Sequence, residues 1–448
     1  MDNSMNEQKF IKMTTTPVER LVCGLAVPSI LSMLVTAFYN MADTFFVGRI
    51  STEATGAVGV VFSYMTLIQA IAFFFGHGSG NFISRALGAK KYHDASVMAA
   101  TGFFSAIIIG TIIGVLGFVF MEPMLNFMGA TKTILPDAKK YIQYILIATP
   151  FIMGAFVLNN IMRLQGNAKM GVIGITSGAV LNVILDPILI FGFDMGCAGA
   201  GLATGISQMV SFIILLILSG QKDGIKILWK NFKFTWRRLW EIFVGGVPSL
   251  ARQGLGSVAT ICLNKMAGDY GDPAIAAFSV VSRIVMIFSS ALIGFGQGFQ
   301  PVCGFNYGAG LYDRVKKAFW FCVKVSTVAM TIIAMGLFFG AEPLVCLFRK
   351  EDPEVVRIAV KALRMQCLSM PLMGYVVLSN MCLQNIRRTL SATITAMARQ
   401  GLALIPVLFV LDYFFGLAGL QSAQPIADVI SFVICIPLMG RALKKMTN

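Results

Sequence analysis

Residues 21–47 read LVCGLAVPSILSMLVTAFYNMADTFFV, with no basic residue and a single acid, Asp43. A bilayer core of about 30 Å needs about 20 consecutive apolar residues in a helix, so this stretch alone is long enough to span. Its apolar run is continuous at helix length, which argues against the ten-residue alternation of a membrane barrel strand. Twelve such stretches follow one another, the first at 21–47 and the last at 417–440, separated by polar or charged turns. The composition agrees: 56% of the 448 residues are hydrophobic and 13% charged, with a mean hydropathy of +0.77. Soluble domains carry charge on about a quarter of their residues. The same figures exclude disorder, and 9 Cys without one CxxC pair exclude a disulfide scaffold or a zinc module. The expected fold is therefore an all-α integral membrane protein of twelve transmembrane helices.

The net charge of +15 would suggest nucleic acid in a soluble protein. Sorted by loop, roughly 22 basic residues fall on the side of the N-terminus, the even-numbered loops and the C-terminus, against about 10 on the other. Both termini are thus expected in the cytoplasm. The densest basic group, Lys222, Lys226, Lys230, Lys233, Arg237 and Arg238, lies between spans six and seven. It reads as a topology signal that meets anionic headgroups, not as a nucleic-acid site. Acids near the N-terminus and a long first apolar run argue against a cleavable signal peptide. Thr16-Pro17-Val18-Glu19 instead reads as a helix start, with Thr16 as cap and Glu19 closing a capping box.

The chain repeats itself at an offset of 220. Val27-Pro28-Ser29 returns as Val247-Pro248-Ser249, Gly76-x-Gly78 as Gly296-x-Gly298, Gly88-Ala89 as Gly308-Ala309 and Glu122-Pro123 as Glu342-Pro343. Later the offset drifts by a residue, pairing Pro187 with Pro406. Each half holds six spans, an even number, so the two repeats are parallel and predict an N-lobe and a C-lobe about a central cleft. The expected division is residues 1–218 for the N-terminal lobe, 219–241 for a basic cytoplasmic linker and 242–448 for the C-terminal lobe. Such a frame favours a secondary transporter working by alternating access. No GxxxxGK[ST] loop, HExxH or GxSxG occurs, so neither ATP hydrolysis nor enzymatic chemistry is expected, and no cofactor.

Acids within spans are costly unless hydrated or paired, and so mark function. Two lie deep: Asp43, one helical turn after Tyr39 and Asn40, and Asp186, four residues after Asn182 and just before Pro187. Their repeat partners are Leu263 and Ile405, so fold symmetry does not require them; the plainer alternative is a pair of helix-end acids near the outer interface. Two converging carboxylates could exchange a proton, or with Asn182 and the Thr204 hydroxyl could ligate Na+. Residue types do not separate the two ions. Pro28 and Pro187 each free a backbone carbonyl and allow a bend. A bend at Pro28 would displace Asp43, about 22 Å further along the helix.

Other polar residues in spans have two readings each. Asp428 is a second titratable candidate or an interfacial acid. Gln297 and Gln300 line a cavity or pack helices, and Asn159 and Asn160 could line the N-lobe. Arg163 reads as snorkelling to the cytoplasm. Arg252, Arg283 and Arg399 have no role beyond snorkelling or pairing with Asn, Gln or lipid phosphate. The 26 Met and 36 Phe suit a yielding cavity for flat apolar cations, though most must face lipid or pack helices.

These segments together resemble the multidrug and toxic compound extrusion (MATE) family, nearest its DinF-like branch and the MepA-type exporters within it. The resemblance is carried by the Val-Pro opening of both halves, Tyr39-Asn40-x-x-Asp43, Ser84-Arg85-x-Leu87-Gly88-Ala89, Leu181-Asn182-x-x-Leu185-Asp186-Pro187, Gln300-Pro301 and Asn306-Tyr307-Gly308-Ala309. It implies a multi-pass protein of the bacterial plasma membrane, monomeric in lipid, that exports apolar, often cationic organic compounds in exchange for H+ or Na+. It implies a cation site at Asp43, Asn182, Asp186 and Thr204, flanked by Tyr39 and Asn40, with Pro28 as the bend. The NorM-like branch uses acids in its C-lobe, and spans seven and ten here have none. A flippase of lipid-linked oligosaccharide or lipid precursor, related in fold, is the alternative; it should line its cleft with several basic residues.

Overall fold

The structure is a computed structural model, and it describes residues 3–47, 49–221, 225–348 and 352–446. Lys222 of the basic linker lies outside the described residues, as does the side chain of Asn40. Among the described residues the secondary structure is helical throughout, in the order α1 (Asn3–Thr15), α2 (Val18–Val47), α3 (Thr52–Gly88), α4 (Tyr92–Val119), α5 (Met121–Phe127), α6 (Leu135–Leu164), α7 (Ala168–Pro187) and α8 (Gly196–Ser219). The second half follows with α9 (Trp236–Gly268), α10 (Asp272–Gly308), α11 (Tyr312–Phe339), α12 (Ala341–Phe348), α13 (Pro353–Asn385), α14 (Thr389–Met397), α15 (Leu404–Phe415) and α16 (Leu417–Lys444). Helix α2 begins at Val18, as the Thr16-Pro17 signal predicts. Helix α1 before it was not expected; it is held by Lys9 Nζ donating to Asn167 Oδ1 at 3.1 Å and by Lys90 over the Phe10 ring.

Eleven segments are long and apolar enough to cross a membrane by length and composition. The remaining long helix, α9, has 33 residues but carries Arg237, Arg238, Glu241, Arg252 and Lys265, which lower its hydropathy. Both repeats carry a π-helical turn in their fifth span, at Ile188–Gly192 directly after Pro187 and at Ala398–Leu402. A wide turn of this kind is common where a helix is adapted to a site.

Contacts divide the chain into two compact units, and the division does not fall in the 219–241 linker. Unit 1 comprises Met1–Thr16 with Val27–Gly246, and unit 2 comprises Pro17–Ala26 with Val247–Asn448. Helices α2 and α9 therefore change unit at their equivalent Val-Pro pairs. In unit 1, α6 is the most buried span, at 78% of its apolar window, and in unit 2 its repeat counterpart α13 reaches 72%. The repeated glycines explain the exchange locally. A Cβ on Gly78 of α3 would strike the Ile242 carbonyl of α9, and one on Gly298 of α10 would strike the Ala26 backbone of α2. Only glycine allows backbones to approach this closely.

The described part of the linker is not a free tether. Gln165 Oε1 accepts from the Ile225 amide at 3.0 Å, Trp229 packs edge-on to Phe104 with centroids 4.7 Å apart, and Arg238 pairs with Asp94 at 3.2 Å. All of these contacts lie within unit 1.

Candidate functional site

Four helices of unit 1 bring the first-half acids together. Asp43 comes from α2, Tyr141 from α6, Asn182 and Asp186 from α7, and Thr204 from α8, and all five are buried. The Tyr141 hydroxyl donates to Asp43 Oδ2 at 3.3 Å. Asn182 Nδ2 lies 3.3 Å from both Asp186 Oδ1 and Thr204 Oγ1. The two carboxyls are within electrostatic range of each other, and Tyr39 reaches Thr204 and Gln208 beside them. The expected convergence of Asp43, Asn182, Asp186, Thr204 and Tyr39 is present, close to the C-terminal ends of α2 and α7.

What the cluster lacks is donors. Asp43 Oδ1, Asn182 Oδ1 and Asp186 Oδ2 are buried acceptors with no hydrogen-bond partner among the described residues, and no basic side chain pairs with either acid there. Buried polar atoms are normally satisfied, so three orphaned oxygens in one cluster fit a bound proton or a hard cation. A cavity of about 70 Å³ meets the cluster at Tyr39 and is further lined by Gln69, Phe156, Gln208 and Ser211 among others. It is room for a few waters, well short of the roughly 300 Å³ of a small-molecule pocket.

Several expected residues have other duties. Asn160 Nδ2 donates to the Phe156 carbonyl at 2.8 Å, its Oδ1 accepts from Arg163, and Gly76 makes space for it. Asn159 Oδ1 fits against Gly171 of α7. Both are helix-packing groups, outside the acid cluster. Arg163 does not snorkel: it is 3% exposed and its Nη2 lies 3.2 Å from His77 Nε2, whose ring stacks on Phe73. Gln297 and Gln300 are buried along α10 of unit 2, each with partners of its own. Pro28 sits inside an unbroken α2, at the point where that helix changes unit.

Asp428 is buried in α16 and fully engaged. Arg399 Nε and Gln424 Nε2 donate to its Oδ1 at 2.9 and 3.1 Å, and Ser369 Oγ and Gln366 Nε2 to its Oδ2 at 2.9 and 3.2 Å. Arg399 thus gains an acidic partner that the sequence did not disclose. Tyr141, Gln208, Gln366 and Ser369 were also missed, because single polar residues within long apolar helices carry no periodic signal.

The MatE family model matches residues 28–188 and again 248–410, two segments that begin at the prolines of the repeated Val-Pro pairs. The chain belongs to the MatE family. Similar curated relatives of this family include the multidrug export protein MepA of Staphylococcus haemolyticus, 28% identical over 99% of this chain and 98% of its own. That of Staphylococcus saprophyticus is also 28% identical, over 95% and 94%. An outward-facing multidrug resistance MATE transporter superposes with a TM-score of 0.92 over 97% of this chain and 98% of its own, at 22% identity. A Vibrio cholerae MATE transporter does so at 0.87 over 99% of each, at 21% identity. The MatE fold therefore extends over nearly the whole chain, and the expected resemblance holds.

Proposed function

We propose that this MatE protein is a secondary multidrug exporter of the bacterial plasma membrane, with both termini cytoplasmic. It releases apolar, often cationic organic compounds outward when H+ or Na+ binds at Asp43 and Asp186. The observation that carries the coupling site is the set of orphaned oxygens on Asp43, Asn182 and Asp186. A cation arriving there supplies the missing positive partner, and its departure leaves two close carboxyls that repel. Alternating occupancy of this kind biases a two-state transporter as far as the ion distinguishes the states. The names of the full-length relatives support export of small organic molecules. For the flippase alternative several unneutralised basic residues are wanted; Arg399 is paired with Asp428 and Arg283 is exposed on α10, which leaves Arg252 alone of these three span arginines.

The test uses inside-out vesicles energised by a pH or a sodium gradient. Dye accumulation by the unaltered protein should collapse with one gradient and not the other, which names the ion. Full accumulation by both Asp43→Asn and Asp186→Asn would overturn the coupling site.

A further inference from the structure

Around α9 and the second π-helical turn, unit 2 gathers donors without acceptors, where the acid cluster of unit 1 gathers acceptors without donors. Arg252 lies on the α9 face that meets the π-helical turn Ala398–Leu402. One turn further along that face, a Cβ on Gly256 would lie 3.3 Å from Gln400 Oε1, and Leu255 packs onto Gly401. Arg252 is within electrostatic range of Arg399, yet it forms no hydrogen bond or ion pair among the described residues. Arg399 spends Nε on Asp428, while its Nη2 has only the weak Met373 thioether, at 3.6 Å. Gln253 Nε2 is buried without an acceptor. Asp428, the acid that neutralises Arg399, already accepts from four side chains and has none of its charge to spare for Arg252.

Two guanidinium groups thus lie within electrostatic range of each other inside apolar spans, and only Arg399 has a carboxylate, which is already saturated. Leaving a charge uncompensated in such surroundings costs several kcal/mol, and a guanidinium offers a planar fork that matches a carboxylate or a phosphate. We propose that this part of unit 2 binds the anionic group of an amphiphilic molecule, with Arg252 as its main ligand and Arg399 Nη2 and Gln253 Nε2 beside it. The acceptor-rich cluster of unit 1 and this donor-rich one would give the two repeats complementary polarity. The site does not depend on the export reading, because it is tested by binding alone.

Two dyes with one aromatic core separate charge from shape: rhodamine 110 carries a free carboxylate, and rhodamine 123 is its methyl ester. Fluorescence anisotropy in phosphatidylcholine nanodiscs measures both. Arg252→Gln should weaken rhodamine 110 at least about tenfold, as loss of a charged hydrogen-bonding partner does, and leave rhodamine 123 unchanged; Arg252→Lys should fall between. Retained rhodamine 123 binding also reports a folded variant, and if Arg252→Gln does not fold, Gln253→Leu gives the same comparison at smaller amplitude. Competition by added phosphatidylglycerol in the unaltered protein would identify a lipid phosphate as the natural anion, and its absence an organic carboxylate. Equal effects on both dyes, or none on rhodamine 110, would overturn the proposal.

Discussion

The Tyr141 hydroxyl points at Asp43 Oδ2 from 3.3 Å away, and this tie between α6 and α2 is the one donor that the Asp43 carboxyl receives among the described residues. At the proposed coupling site a single donor of this kind holds the acid in place without satisfying it. Tyr141→Phe should therefore slow gradient-driven dye accumulation about five- to tenfold, in keeping with about 1–1.5 kcal/mol for one hydrogen bond. Asp43→Asn should abolish it. Equal loss in both variants, at matched protein levels in the vesicles, would mean that Tyr141 does more than position the acid.

Breaking the ion pair of Arg399 and Asp428, 2.9 Å apart with the Asp428 side chain buried, from one side should cost more than breaking any surface pair. Arg399→Leu leaves a buried carboxylate without its counter-charge and should cost about 3–5 kcal/mol in reversible unfolding. The double variant Arg399→Leu with Asp428→Leu should recover most of that loss. A double variant as unstable as the single one would assign the cost to packing.

By contrast, Arg238 and Asp94 meet where both side chains are partly exposed. Arg238→Ala should lower stability by less than about 1 kcal/mol. A larger drop in thermal unfolding would show that the linker strap on unit 1 is tighter than its exposure suggests.

Glycines within the helices separate into two groups. Gly78→Ala and Gly298→Ala force a Cβ into backbone atoms of α9 and α2 and should destabilise by about 1–3 kcal/mol. Gly24→Ala and Gly59→Ala meet nothing within 4 Å and should be neutral or stabilising by up to about 1 kcal/mol. Thermal unfolding of the four variants in one detergent checks the ranking.

The spans, the repeat and the deep acids were legible because each leaves a periodic or compositional trace. Twenty apolar residues in a row, a Val-Pro pair returning after 220 residues, and an acid where its repeat twin is Leu263 or Ile405 are all one-dimensional signals. The pairing of Arg399 with Asp428, and of Arg163 with His77, is not. Those residues lie on different helices, and their meeting depends on packing angle and rotation that no spacing encodes. For Asn159 and Asn160, polarity at a span end suggested a lining role, and the glycines opposite them, Gly171 and Gly76, add a close helix packing that no spacing encodes. The aromatic packing of the linker was not foreseen, because its charges were weighed and Trp229 and Phe232 were not.

The exchange of helical turns at Pro28 and Pro248 bears on the order in which the protein is made. Residues 17–26 leave the ribosome among the first, yet they belong to the unit whose other members are synthesised last. Unit 1 in turn stays incomplete until residues 236–246 have emerged to fill the groove above Gly78. Neither half of the chain encodes a self-sufficient half of the molecule. Maturation must wait for the whole chain, and a nascent protein stalled after its sixth span would present an open glycine groove to the membrane's quality-control proteases.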